Sequence, residues 1–446
     1  MESQEKLSNA NGIDFNEKKI ILLVFVFAVL IRFFYIYFFY GFDTLPGMDE
    51  IYYQKLAGNI SDGLGFAIKK DAFSTKKPPV YPYFMTGIYF IFGRDNFFAL
   101  RIIQILLGGI CTILIYIIAG KLGGRRVALI SSILVSIDPL LIYISAWILA
   151  HIMVYLFTLL AVFYCLNTIE KPSCYNIILA GMFWGLTGLS MGYNTFLFYP
   201  YIFIWGLIIF RTDKKEALKI SVILFLSMTL TVSIWTIRNY TIYKKFIPIV
   251  TSGGHRFKGS NNARADGMWT PSSGSPRFFS TSRNRGWGDS PDWESWACDA
   301  DSLWLDLLFS EKKDYNDYEV NLLNYRAGWK WIKNNPVSWL KLLPKKFYHL
   351  WEPLNPRSTF PRLTQKRRRA VIIFYCFIFP LFVIGIYLSK AFWRKYLIIY
   401  LAIIHTIIGS MIYYGDAQQR VIITPFLSIF AAFTLSRIIK FRKNDE

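Results

Sequence analysis

Two carboxylates stand side by side in Pro46-Gly47-Met48-Asp49-Glu50-Ile51-Tyr52-Tyr53, directly after the first apolar run of the chain. Pro-Gly makes a turn, and Asp49 is placed to cap the helix that begins behind it. A carboxylate in such a place is also able to do acid–base work. Basic residues recur at the ends of apolar runs: Lys77 in Lys76-Lys77-Pro78-Pro79, Arg101, Arg238 and Arg420. For Arg238 and Arg420, at the ends of spans, the plain reading is an anchor at the membrane surface. Asp138 interrupts an apolar stretch, and an acid within a membrane is a functional candidate by default. His151 opens another such stretch. His405 sits among isoleucines and reads as a packing histidine.

These residues need a frame, and composition supplies it. Of 446 residues, 54% are hydrophobic and only 18% charged, and the charges are bunched. Ile102–Gly120, Ala370–Ser389 and Tyr396–Gly415 carry no charge. Each is about 20 residues long, enough to cross a bilayer core as a helix. The pattern predicts an all-α polytopic membrane protein of about ten spans, near 19–41, 99–120, 124–143, 147–167, 174–191, 193–210, 218–237, 370–389, 396–415 and 421–438. The third is the weakest, because Asp138 breaks it. The first run is too long for a signal-peptide core and reads as a retained anchor. Five cysteines without a CxxC pair suggest neither a disulfide framework nor a zinc site.

Loop charges give a direction. Lys18-Lys19, Lys121 with Arg125-Arg126, the 211–219 turn, Lys390 with Arg394-Lys395, and the tail after Arg437 all fall on one side of a ten-span chain. The positive-inside rule makes that side cytoplasmic and puts both termini there. Two long segments, 42–98 and 238–369, then face outward. The first should carry a helix lying in the interface plane. The second holds 23 Lys+Arg against 12 Asp+Glu. It is either a solvated surface or one for anionic lipid or phosphate-bearing molecules, the latter favoured at Lys366–Arg369. The organisation is therefore 1–237 membrane module, 238–369 outer region, and 370–446 final spans with a tail. The Trp- and Arg-rich stretch from Trp269 to Trp304 could stack on sugar rings, and it could equally form the loop's own core.

An ordered series of motifs carries a resemblance. Asp49-Glu50-Ile51-Tyr52-Tyr53 follows span one, Lys77-Pro78-Pro79-Val80-Tyr81-Pro82 comes next, and Arg101 opens span two. Trp235-Thr236-Ile237-Arg238-Asn239-Tyr240 closes span seven, and Gly415-Asp416-Ala417-Gln418-Gln419-Arg420 precedes the last span. Together they resemble the GT-C fold glycosyltransferases, in particular the group of protein O-mannosyltransferases, the lipid A aminoarabinose transferase and the RgtA/B/C/D-like enzymes. The resemblance spans most of the chain, from about residue 20 to 430.

That resemblance implies a GT-C-like bundle with outward-facing juxtamembrane helices and a large outer loop. It implies transfer of a sugar from a polyprenyl-phosphate donor to a lipid, glycan or protein acceptor on the outer face of a bacterial or archaeal plasma membrane, with inversion. Asp49 matches the family's catalytic acid and would be the general base, with Glu50 as second choice. Lys77, Arg238 and Arg420 would hold the donor phosphate, where negative charge develops. The chain departs from the pattern where many relatives carry a second acid at the outer start of span four: it has His151 there. If that position holds a divalent metal or the acceptor, His151 can serve, since neutral imidazole ligates. Asp138 is a partial substitute; equally, no metal is needed. Gln418-Gln419 replaces the usual Arg-Tyr. Membrane lipids are expected partners and nucleic acid is not. A lipid or glycan transporter would need polar residues along a path through the bilayer, whereas the charges gather at span ends; a non-catalytic scaffold is the third reading.

Overall fold

A computed structural model describes residues 15–44, 48–69, 72–192, 195–269, 316–353 and 365–442. The Trp-rich stretch beyond Trp269 and Cys298 lie outside the described residues. Helices occupy all ten positions expected from hydropathy. In chain order they are α1 (Phe15–Tyr35, continued by a π-helical turn Ile36–Tyr40), α2 (Met48–Ser61), α3 (Val80–Phe92), α4 (Phe97–Gly123), α5 (Arg125–Ile137), α6 (Pro139–Ala146), α7 (His151–Glu170), α8 (Cys174–Met191) and α9 (Phe198–Ile209). Next come α10 (Lys214–Tyr243), α11 (Gly253–Ser260), α12 (Asp317–Asn334), α13 (Pro336–Trp351), α14 (Gln365–Ser389), α15 (Trp393–Ile412), α16 (Ala417–Arg420) and α17 (Thr424–Arg442). One short antiparallel hairpin, β1 (Ala67–Lys69) with β2 (Ala72–Phe73), lies between α2 and α3.

By length and composition alone, six helical stretches among the described residues can cross a membrane, or seven if one bent pair is a single span. One of the six, Gln365–Ile412, is α14 plus α15. It reverses at a 3₁₀ turn, Lys390–Phe392, where the Ser389 and Tyr400 hydroxyls meet at 2.5 Å. A straight helix would hold residues 11 apart roughly 16 Å from each other, so the two helices form a hairpin. The segments Thr195–Ile209 and Thr424–Ile439 are apolar but shorter. The outer faces of the helices carry what lipid requires: Leu22, Leu23, Leu230, Ile234 and Ile373 are all more than 60% exposed. The chain is a multi-pass membrane protein.

Local chemistry explains the breaks. The expected third span is two helices, α5 and α6, bent by 55°. Pro139 has no N–H to continue the ladder. The Asp138 carboxylate accepts from the amides of Leu140 and Leu141 and so caps α6. Asn96 caps α4, Ser173 caps α8 and Asp213 caps α10 in the same way. Where helices pass closest, glycine is required. A Cβ on Gly385 of α14 would collide with the Phe430 carbonyl oxygen of α17, the close small-residue contact that membrane helices use.

The loop segments gather at one end of the bundle. Arg101, in the first turns of α4, donates to the carbonyls of Phe42 and Thr44 just beyond α1. Arg367 of α14 donates to the Phe39 carbonyl at 3.0 Å. Thus α1 ends, and α4 and α14 begin, at the same face, beside α2 and α3. At the opposite end the Lys121–Glu170 ion pair joins the ends of α4 and α7.

Candidate active site

Asp49 lies in the first turn of α2, where the helix dipole favours a carboxylate. Its Oδ1 is 2.8 Å from Nζ of Lys77, which projects from the proline-rich turn ahead of α3. The Lys77 ammonium also rests over the rings of Tyr52 and Tyr53, at 5.7 and 5.2 Å. The Lys77 side chain is 14% exposed, while Asp49 keeps 62% of its surface open. Yet protein surrounds Asp49 closely enough that burial is the largest influence on its ionisation. The carboxylate is thus open to water, with protein close around it.

Burial alone would raise the Asp49 pKa. The charges of Lys77 and Arg256, the hydrogen bond from Lys77, and His151 outweigh it and hold the group below its ordinary value. Lys77 is pushed down by burial, against the pull of Asp49, and Arg256 pushes in the same direction as burial. Arg256 comes from α11, and its Nη1 donates to the Tyr414 hydroxyl at 2.8 Å. His151 opens α7, with its ring stacked 5.8 Å from that of Trp147 and its buried Nδ1 without a hydrogen-bond partner. The charges of Lys77 and Arg256 thus both act on this carboxylate.

The other candidates lie elsewhere. Glu50 is buried, and its Oε1 accepts from the Ile148 amide at 3.0 Å. It ties α2, the helix that bears Asp49, to the turn between α6 and α7. Arg238 is not brought to the Asp49–Lys77 pair. Its guanidinium donates to the carbonyls of Phe66 and Ser74 and lies 4.6 Å from the Trp235 ring, locking the β1–β2 hairpin onto α10. Arg420 is not brought there either. It is fully buried, donates to the carbonyls of Leu350, Glu352 and Pro353, and stacks on Tyr375 and Phe379. Asp138 accepts from the Tyr375 hydroxyl at 3.0 Å and belongs to that second cluster. His405 stacks on Phe198 at 3.8 Å inside the bundle.

Arg256 is the site residue that sequence reasoning missed. A faint signal existed in Gly253-Gly254 ahead of it: a Cβ on Gly254 would collide with the Asn321 carbonyl oxygen, so α11 must abut α12 closely. For a divalent metal, the described residues do not make a complete ligand set. Asp49 and His151 are too few donors, and the Lys77 ammonium already sits 2.8 Å from Asp49. Among the described residues no group of three His, Cys, Asp or Glu side chains could hold a metal.

A buried lysine ties α13 to the segments that follow α11 and end α15. Lys346 of α13 is buried, and its Nζ donates to Asn261 Oδ1 at 2.8 Å and to the Met411 carbonyl at 3.1 Å. Burial lowers its pKa from 10.5 to about 7. An unfolded chain keeps that proton up to about 10.5, whereas the folded chain releases it near 7. Across this window unfolding takes up a proton, so stability should rise with pH, by at most about 1.4 kcal/mol per pH unit. Thermal unfolding in detergent should show this rise, and Lys346→Met should flatten it. An unchanged slope in that variant would clear Lys346 of the effect.

The family model for dolichyl-phosphate-mannose-protein mannosyltransferase matches residues 76–235, a range that begins beside Lys77 and includes His151. No curated protein matches the sequence. Among solved structures, the archaeal oligosaccharyltransferase AglB from Archaeoglobus fulgidus, in complex with an inhibitory peptide and a dolichol-phosphate, is similar at TM-score 0.56 and 16% identity. The match covers 96% of this chain and 51% of that one. The apo form of the Archaeoglobus fulgidus oligosaccharyltransferase gives 0.57 and 16%, over 97% and 52%. This chain thus spans about half the length of the oligosaccharyltransferases it matches. ArnT from Cupriavidus metallidurans bound to undecaprenyl phosphate is similar at TM-score 0.43 and 14% identity, over 94% and 78%, too distant to weigh in the assignment. The chain has the GT-C fold expected from its motifs.

Proposed function

We propose that this chain is a membrane glycosyltransferase that moves a sugar from a polyprenyl-phosphate donor to a hydroxyl-bearing acceptor. The observation that carries the reading is the cluster itself: one accessible carboxylate, Asp49, paired at 2.8 Å with Lys77, with Arg256 acting on both. Transfer to a hydroxyl makes two demands on an active site. A base must take the acceptor's proton as its oxygen bonds to the anomeric carbon. Cations must meet the charge that develops on the phosphate oxygen as the carbon–oxygen bond to the lipid phosphate breaks. Asp49 supplies the first, and Lys77 with Arg256 the second. Glu50 accepts from the Ile148 amide, so Asp49 is the carboxylate at the cluster among the described residues, which supports a single displacement with inversion.

In this reading the donor and the acceptor meet at the end of the bundle where α1 ends and α4 begins. The basic clusters of the opposite loops favour a position for that end outside a plasma membrane, with both termini cytoplasmic. The division at 237 and 369 then separates the membrane module from the outer region and the closing spans. His151, with its buried, unpaired Nδ1, is suited to a neutral hydrogen bond with an acceptor hydroxyl. A transporter is less well supported, because Arg32 and Arg420, buried within the bundle, are engaged with backbone carbonyls and line no open path.

The test is transfer in reconstituted vesicles with labelled polyprenyl-phosphate sugars and envelope acceptors. Product with a new glycosidic bond is expected. Lys77→Gln and Arg256→Gln should each raise the donor KM by roughly 10- to 150-fold, the worth of a charged hydrogen bond of about 1.5–3 kcal/mol. Movement of labelled lipid between leaflets without any bond formed would favour the transporter instead.

A further inference from the structure

Lys77 stands on a loop whose course is fixed residue by residue. Ser74, three places earlier, is 2% exposed and has each of its polar groups engaged. Its amide donates to the Phe66 carbonyl at 3.0 Å, and its own carbonyl accepts from Arg238 Nη1 at 3.0 Å. Its hydroxyl oxygen accepts from the Lys76 amide at 3.2 Å and meets the Tyr52 hydroxyl at 2.7 Å. Thr75 is held as well: the Thr251 amide donates to its carbonyl and the two threonine hydroxyls meet, both at 2.9 Å. Beyond Lys77 come Pro78 and Pro79, whose rings fix φ and restrict the residue before them. The root of the Lys77 side chain therefore has little freedom.

These clamps differ in what they refer the loop to. Arg238 and Thr251 tie it to α10 and the chain that follows. Tyr52 ties it to α2, one helical turn along from Asp49. Two bridges thus join α2 to this loop in parallel: Asp49 with Lys77 at 2.8 Å, and Tyr52 with Ser74 at 2.7 Å. They are three residues apart along both segments. The Tyr52 ring also lies 5.7 Å from the Lys77 ammonium. Burial pushes the Tyr52 pKa up to about 12, so the second bridge joins two neutral hydroxyls at any working pH.

We propose that Ser74 is a positioning residue for sugar transfer, and that its hydrogen bond to Tyr52 sets where Lys77 stands relative to Asp49. This rests on the roles proposed for Asp49 and Lys77. The Asp49–Lys77 bridge carries charge, and it must share the ammonium with the donor phosphate when that arrives. The Tyr52–Ser74 bridge has no charge to share, so it keeps the loop in register with α2 while the first bridge is in use. Ser74 is buried and acts through Lys77 alone. Preorganisation of this kind shows in donor affinity more than in the chemical step, because the lysine is in place before binding.

The experiment is binding of a long-chain polyprenyl phosphate to the purified full chain in detergent, read by tryptophan fluorescence, together with donor KM and kcat. Tyr52→Phe keeps the ring under Lys77 and removes only the bridging hydroxyl. It should weaken binding roughly 2- to 10-fold, the worth of one hydrogen bond, and raise KM to match, with kcat changed less than about twofold. Ser74→Ala, which also frees the Lys76 amide, should lose at least as much, and Tyr52→Phe added to it should cost nothing further, because both remove the same bond. Tyr52 is only partly buried, so Tyr52→Phe carries the test should Ser74→Ala unfold. The decisive measurement is made in Lys77→Gln, where Tyr52→Phe should no longer affect binding. A loss from Tyr52→Phe that persists undiminished in Lys77→Gln would overturn the positioning role and leave a merely structural bond. Weakening by Lys77→Gln with no change from Tyr52→Phe would also overturn it, while keeping the phosphate role of Lys77. Indifference of binding to Lys77→Gln would overturn that phosphate role, and the positioning role with it.

Discussion

Asp49→Asn should lower sugar transfer by about 10²–10⁴-fold, the usual contribution of a positioned base, while the protein still purifies as a folded monodisperse species. The amide keeps the size of the carboxylate and can still accept a hydrogen bond from Lys77, so the local packing need not collapse. What it loses is the ability to take a proton. The pH profile sharpens the expectation. Lys77 and Arg256 hold the Asp49 carboxyl below its ordinary 3.8, so the base stays ionised, and activity should persist on the acid side down through that value. As a stabilising group, the carboxylate contributes above 3.8, and this contribution is lost as pH falls through the lower, folded value. Full transfer activity in Asp49→Asn would sink the base assignment outright.

Arg420→Lys should behave unlike a change at a phosphate ligand. It keeps the charge but gives up the planar fork, and the fork is what Arg420 uses. Nη1 serves the Leu350 and Glu352 carbonyls and Nη2 the Pro353 carbonyl, at 2.8, 3.1 and 3.1 Å. A lysine can reach one or two of them, and each buried acceptor left alone costs about 1–3 kcal/mol. The total is a large share of a typical stability of about 5–15 kcal/mol. The variant should therefore lose its sharp elution peak and its thermal transition in detergent, and Arg420→Ala should be no better. A well-folded Arg420→Lys protein with only a raised donor KM would restore Arg420 to the phosphate site.

What could be read from the sequence divides along physical lines. The helices were legible because crossing a bilayer leaves a long uncharged run, and the weakness of the third was legible because Asp138 interrupts it. Asp49 and Lys77 could be singled out because each sits in a short contiguous pattern whose residue types are unusual together. The roles expected of Arg238 and Arg420 were drawn from their position at span ends, and the competing demand was invisible there. Irregular backbone at Phe66, Ser74 and 350–353 has carbonyls that need donors, and no pattern in the sequence says which arginine answers. Arg256 was missed for the converse reason. It lies 158 residues from Tyr414, to which it donates, and its place exists only once α11 and the segment before α16 are packed together. The apolar helix α3 was hidden by the prolines at its start, which fit a first helical turn as well as a loop.

The grip of Arg420 and Tyr414 on residues far earlier in the chain also sets an order in time. Domains form as synthesis proceeds from the N-terminus, and Asp49, Lys77 and Arg256 are all made before α15 and α17 exist. Until those helices insert, the carbonyls of Leu350, Glu352 and Pro353 lack the Arg420 guanidinium that donates to them. A nascent chain would thus carry its base and its lysine early but hold no finished site. The closing helices act as a latch that makes a newly made molecule competent only once they are in place.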